Sequence, residues 1–226
     1  MKPTLPLLLS VNAGYVDTAG FLALHGLFTA HVTGNFVTLG AALVLGTSGI
    51  IAKVLALPMF CLVLVLGRLL HYALVARSLP VLRTMLLIEL VLLIVGAALA
   101  IRFGPFPDSD TLLAVVTGLV LVAAMAIQNG LHKVHLGKFP PSTLMTGTTT
   151  QIMLDLGDKL HGVPPEQKDV IDARLSHMAA SVGVFAVGCA MAALLYAWLG
   201  MWCFALPPVV AFAAWRCRQD PEPMVS

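Results

Sequence analysis

Apolar residues run along this chain in long unbroken stretches, and the polar residues gather in the short breaks between them. A membrane span needs about 20 mostly apolar residues, and six stretches meet that need or come close: 5–28, 54–76, 84–102, 111–131, 176–197 and 200–215. Alternating strands of about ten residues, the mark of a membrane barrel, are missing from the pattern. Two further apolar segments, 33–45 and 146–156, are too short and too polar to span. Each opens on a Thr-Gly pair after a polar or proline-containing break. Threonine caps helix starts and glycine accepts the backbone angles of a break, so both segments are predicted to be half-helices.

Charge decides how these pieces thread the bilayer. If each half-helix enters and leaves on one side and Met1 is cytoplasmic, then Lys2, Arg77, Arg83, Lys133, Lys138, Lys159, Lys168, Arg174, Arg216 and Arg218 all lie inside. Only Lys53 and Arg102 lie outside, beside Asp108 and Asp110, while Arg68 falls within a span. Cytoplasmic loops carry the excess of Lys and Arg. Six spans with both termini in the cytoplasm satisfy that rule, and reading the half-helices as full spans does not.

The same pieces divide evenly. Residues 1–106 hold three spans and the first half-helix; residues 107–218 hold three spans and the second; 219–226 reads as a disordered tail. The two Thr-Gly pairs, Thr33-Gly34 and Thr146-Gly147, stand 113 positions apart, half the chain. Three spans per half is an odd number, so the halves would be inverted repeats. The expected fold is an all-α polytopic membrane protein with a 3+3 inverted repeat. Interrupted segments at matching positions of such repeats point to a solute site near the midplane.

Composition narrows the function. The 226 residues are 59% hydrophobic and 11% charged, with a mean hydropathy of +0.94. Soluble domains carry about 25% charge, so too few ionic groups remain to coat a water-facing surface. The net charge of +2 comes without the basic-aromatic clusters of a nucleic-acid binder. Cys61, Cys189, Cys203 and Cys217 have no CxxC spacing and read as small hydrophobes. His132 and His135 share a helix face, but no carboxylate or thiol stands near them in sequence to complete a metal site. HExxH, GxSxG and P-loop motifs do not occur in the sequence, so an enzyme is not expected, nor a cofactor or metal.

The string Gly14-Tyr15-Val16-Asp17-Thr18-Ala19-Gly20-Phe21, followed by His31-Val32-Thr33-Gly34-Asn35, resembles the opening signature of the YoaK-type bacterial membrane proteins, catalogued as a domain of unknown function. Ala126-Ile127-Gln128-Asn129-Gly130 and Thr146-Gly147-Thr148 resemble that family's second signature. The resemblance covers essentially the whole chain. It implies a bacterial inner-membrane protein and names no substrate.

The candidate chemistry lies in three places. Asp17 sits within the first span, where a carboxylate costs about 2.5–3.5 kcal/mol on insertion scales and marks a functional position by default. A structural role, capping a break or pairing with Arg68, is the competing reading. Gln128 and Asn129 occupy the matching region of the second half. The half-helix starts, Thr33-Gly34-Asn35 and Thr146-Gly147-Thr148, would present unpaired N–H groups and the positive end of a helix dipole to a polar or anionic solute. Glu89 is a second candidate for coupling. Expected, then, is a secondary transporter coupled to a proton or cation, with its site at facing half-helix starts. A channel using the same two half-helices as a constriction is the alternative. The partners expected are the bilayer, a small-molecule solute and, through the small residues between Ala179 and Ala193, a second copy of the chain.

Overall fold

The computed structural model describes residues 4–217 apart from Leu144. Lys2, Arg218 and the 219–226 tail therefore lie outside the described residues. Those described are all-helical: α1 Leu5–Ala23, a 3₁₀ turn Val32–Gly34, α2 Asn35–Leu45, α3 Ile50–Ala76, α4 Val81–Phe103, α5 Leu112–His135, α6 Met145–His161, α7 Pro165–Leu199, a 3₁₀ turn Gly200–Ala205 and α8 Leu206–Arg216. Five stretches are long and apolar enough to cross a membrane: Leu5–Ala23, Ile50–Ala76, Val81–Phe103, Leu112–His135 and the 51-residue Glu166–Arg216, which takes in α7, the second turn and α8.

Two buried clusters mark the ends of the bundle. Leu5, Leu74, Met85, Leu131 and Ala214 pack together at one end. Ala23, Leu24, Ala52, Ala100, Phe106, Ala114 and Phe204 belong to the cluster at the other. We call these the Leu5 end and the Asp110 end. Helices α1 and α4 run from the first to the second, while α3 and α5 run back. The segment from Met201 to Ala214 also returns, because its two ends belong to different clusters. Gly200 makes that reversal possible: its φ of +54° is a left-handed conformation that side chains oppose.

The pairing of helices follows a pattern. Helix α1 packs along α7, and α3 along α5; α2 lies on α3, and α6 on α7. In both long seams the partners run parallel. Ser10 and Gly14 of α1 meet Ser181 and Phe185 of α7, while Ala52 and Gly67 of α3 meet Gly118 and Ile127 of α5.

Boundaries differ from the sequence expectation at four points. Helix α1 stops at Ala23 rather than continuing to 28. Helix α6 runs on to His161, and α7 starts at Pro165, so the stretch 158–174, whose charges and Pro164-Pro165 suggest from sequence a loop with a short surface helix, is mostly helix. Tertiary pairing accounts for this: Arg174 donates to Asp155 from Nε at 2.7 Å and from Nη2 at 2.6 Å, and Lys159 pairs with Asp172. Pro207 and Pro208 stand in the first turn of α8, following a 3₁₀ turn, and so begin a helix instead of kinking one.

The turn before α5 pins the Asp110 end. Gly49 N–H donates to Asp110 Oδ2 at 2.9 Å and Ile51 N–H to Oδ1 at 2.8 Å. Burial pushes this carboxyl up, but the N–H donors of Ile51, Gly49 and Ile50, with the Lys53 charge nearby, outweigh it and hold it below the ordinary value. A depressed carboxylate contributes stability above its unfolded value, about pH 4, and loses it as pH falls through the folded value. Thermal unfolding of wild type and Asp110→Asn is expected to differ at pH 6 and converge toward about pH 2. A constant gap across that range would refute the assignment.

Candidate functional site

Each half of the chain folds a loop back against its first helix and then starts a second helix from inside the bundle. In the first half, the loop leaves α1 at Ala23 and returns beside it. Asp17 catches it there, six residues before the end of α1, about 9 Å down the helix axis. Its Oδ1 accepts from Thr29 N–H and Ala30 N–H at 2.7 Å each, from His31 N–H at 3.3 Å and from Thr29 Oγ1 at 3.4 Å. Asn35 completes the hold: its Oδ1 accepts from Phe28 N–H at 2.9 Å and its Nδ2 donates to Phe28 O at 2.8 Å. Helix α2 then climbs back to the Asp110 end. There His25 bonds Ser48, and Lys53 Nζ donates to His25 O at 2.7 Å and Ser48 O at 3.3 Å. The segment 24–49 is thus a hairpin that enters and leaves at one end of the bundle.

The second half repeats the device with amides. Gln128 Nε2 donates to Ser142 Oγ at 3.1 Å and to Leu9 O at 2.9 Å, and Asn129 Nδ2 donates to Thr143 Oγ1 at 2.8 Å. Gln128 and Asn129 stand seven and six residues before the end of α5, as Asp17 stands six before the end of α1. The spacing of 113 carries Thr29 and Ala30 onto Ser142 and Thr143. Asp17, Gln128 and Asn129 therefore share one structural task, holding the loop that precedes α2 or α6.

The half-helix starts are arranged differently from the sequence expectation. Thr33 and Gly34 lie in the 3₁₀ turn, and no side chain caps that turn or α2. Gly34 is instead pressed against the rings of Phe28 and His31. Thr146 and Gly147 fall in the first turn of α6, with Thr148 buried and open space around Gly147. Helix α2 packs on α3 while α6 packs on α7, and the two share no packed interface. The structure does not bring these starts face to face.

Glu89 occupies a separate polar layer. Asn12 Nδ2 donates to Glu89 Oε1 at 3.4 Å. Asn12, Glu89 and Gln128 stand seven, eight and seven residues from the Leu5 end of α1, α4 and α5, so all three lie about 10–12 Å in. Among the described residues, Glu89 Oε2, Asn12 Oδ1 and Gln128 Oε1 are buried with no hydrogen-bond partner. Such orphan acceptors are rare and call for a reason. Asn12 was not singled out by the sequence; an amide inside an otherwise apolar stretch was the available signal. Arg68, the partner offered for Asp17 in a structural reading, lies over the Tyr72 ring at 4.5 Å instead.

One cavity opens in this part of the bundle. It has a volume of about 330 Å³ and lies between α3 and α5, reaching Met85 of α4. Phe60, Leu64 and Gly67 line it farther from the Leu5 end, and Arg68, His71, Asn129, Gly130, Lys133 and His135 line it nearer that end.

Helices of this length and hydropathy, with large apolar side chains such as Val44, Val65 and Trp198 facing outward, define a polytopic α-helical membrane protein. Over residues 5–215 the chain matches the family described as "Protein of unknown function (DUF1275)". It belongs to that family. No curated protein and no solved structure matches it.

Proposed function

We propose that this chain is a secondary transporter of a small polar or anionic solute in the bacterial inner membrane, built as two inverted repeats of three spans and a re-entrant half-helix. The pairing of helices supports the repeat. Matching α1–α4 with α5–α8 turns the α1/α7 seam into the α5/α3 seam, and α2 on α3 into α6 on α7. The loop clamp at Asp17 likewise becomes the clamp at Gln128-Asn129.

One observation carries the transport reading: the two equivalent seams differ. In α1/α7, a Cβ at Gly14 would overlap the Phe185 carbonyl oxygen and one at Gly188 the Val11 carbonyl oxygen, so backbone lies on backbone. In α3/α5, a Cβ at Gly67 would meet the tip of Ile127 at 3.5 Å and one at Gly130 the tip of Leu64 at 3.1 Å, so side chains rather than backbone meet across this seam, and the cavity lies beside them. One seam closed and its counterpart open is the asymmetry expected of an inverted repeat that alternates access. We assign the solute to this cavity, beside Asn129 and Gly130. Asp17, whose Oδ1 is engaged by three backbone donors, holds the loop; coupling falls to Glu89, which keeps an oxygen without a partner. A channel would need the half-helix starts to meet in one constriction, and α2 and α6 pack apart.

Arg77, Arg83, Lys133 and Arg216 stand at the Leu5 end, which the positive-inside rule puts in the cytoplasm. Thiol labelling in oriented vesicles tests both ideas, in a background without the native cysteines. Asp108→Cys is expected to react from outside, and Lys138→Cys and Leu64→Cys from inside only. Leu64→Cys reactivity should change with an imposed pH gradient, and Glu89→Gln should remove that change. Equal reactivity of Leu64→Cys from both sides would mean a pore, and indifference to the gradient would end the coupling role of Glu89.

A further inference from the structure

The cavity between α3 and α5 combines two chemistries that one ligand class would satisfy. Its body is apolar: Phe60, Leu64, Met85 and Ile127 face it. Every ionisable side chain lining it is basic, namely Arg68, His71, Lys133 and His135, and no carboxylate lines it. His71, Lys133 and His135 lie toward the Leu5 ends of α3 and α5, and Arg68 stands eight residues before the end of α3. Three of the four have ring contacts: Arg68 rests on the Tyr72 ring, and the His71 ring stands 5.4 Å from the His135 ring. A guanidinium fixed on an aromatic face presents its remaining donors to a carboxylate in a defined plane. At about 330 Å³ the space lies near the small end of ligand pockets, which run from about 300 to 1,000 Å³. That leaves room for one short chain and not for the two acyl chains of a phospholipid.

We propose that this cavity binds a single-chain amphipathic carboxylate, its apolar body between α3 and α5 and its head at Arg68 and Lys133. The proposal rests on taking the cavity as the solute site, but equilibrium binding reads it without any transport step. Gly67 leaves space beside Ile127, Asn129 supplies one polar contact in the cavity lining, and the basic side chains exclude cationic amphiphiles by like charge.

The full chain in nanodiscs of neutral phosphatidylcholine, corrected for empty discs, provides the test. Saturable binding of decanoate is expected, with inorganic phosphate and decyltrimethylammonium at least tenfold weaker. Arg68→Gln and Lys133→Gln, both at exposed side chains, should each weaken decanoate about tenfold, the usual worth of a charge-assisted hydrogen bond. Equal binding of the cationic amphiphile, or no effect of either variant, would overturn the proposal. Binding of decanoate that disappears when phosphatidylglycerol is added to the discs would overturn it too, in favour of an anionic lipid site. If decanoate binds as expected while Leu64→Cys labels equally from both sides, the binding site stands and the carrier reading falls.

Discussion

Gly188→Leu is expected to prevent the bundle from assembling, and even Gly188→Ala should lower its stability severely. At this position α7 lies against α1 with no side chain between. A Cβ would overlap the Val11 carbonyl oxygen and come within 3.0 Å of Tyr15 N. Overpacking a core costs about 1–3 kcal/mol when side chains can move aside. Here the obstacle is helical backbone, which cannot move without separating α1 from α7 along their length. The Tyr15 hydroxyl bond to Cys203 O, 2.8 Å, and the Ser10–Ser181 pair, 3.0 Å, would be strained by the same separation. Gly183, five residues earlier, faces open space, so Gly183→Ala should change stability by no more than about 0.5 kcal/mol. Unfolding followed by size-exclusion in mild detergent separates the two. Normal stability of Gly188→Ala would mean the seam is not closed by backbone contact, and the asymmetry behind the transport reading would go with it.

Asp17→Ala carries the second large effect. One carboxylate oxygen accepts from three consecutive backbone N–H groups, and Asp17, Thr29 and Ala30 are buried. Removing it leaves those donors unpaired, at about 1–3 kcal/mol for each buried one. The loop would lose its hold on α1, and α2 its starting point. Asp17→Asn keeps an acceptor oxygen and should retain most of the stability, with a loss of about 1–2 kcal/mol for the charge. Amide hydrogen exchange at residues 29–31 reads this locally: fast in the Ala variant, near wild type in the Asn variant. Equal exchange in Ala and wild type would show that Asp17 does not hold the loop, returning it to candidacy for coupling.

The fold was legible in the sequence wherever a single helix could be judged by itself. Span 84–102 falls within α4, 111–131 begins at the N-cap of α5, and 33–45 lies along the 3₁₀ turn and α2, because length and hydropathy belong to the segment. The polar positions were legible as exceptions: Asp17, Asn35, Glu89, Gln128 and Asn129 stood out against an apolar background. Their tasks were not legible. A helix dipole and a Thr-Gly pair describe a half-helix start, but which helix covers that start depends on packing. Charge misled at 158–174, where Asp155 with Arg174 and Lys159 with Asp172 draw polar residues into helix.

The sequence by itself determined that the chain belongs in a membrane and which long segments are helical. These follow from the cost of putting backbone and charge into hydrocarbon, which each residue incurs regardless of its neighbours in space. Only the tertiary structure decided that Asp17 and Gln128-Asn129 are matching clamps and that Asn12 meets Glu89. It also decided that α1 and α7 close on glycine while α3 and α5 border an open cavity. Those are relations between distant residues, such as Ser10 and Ser181, 171 positions apart, set by how helices pack, and no local pattern encodes them.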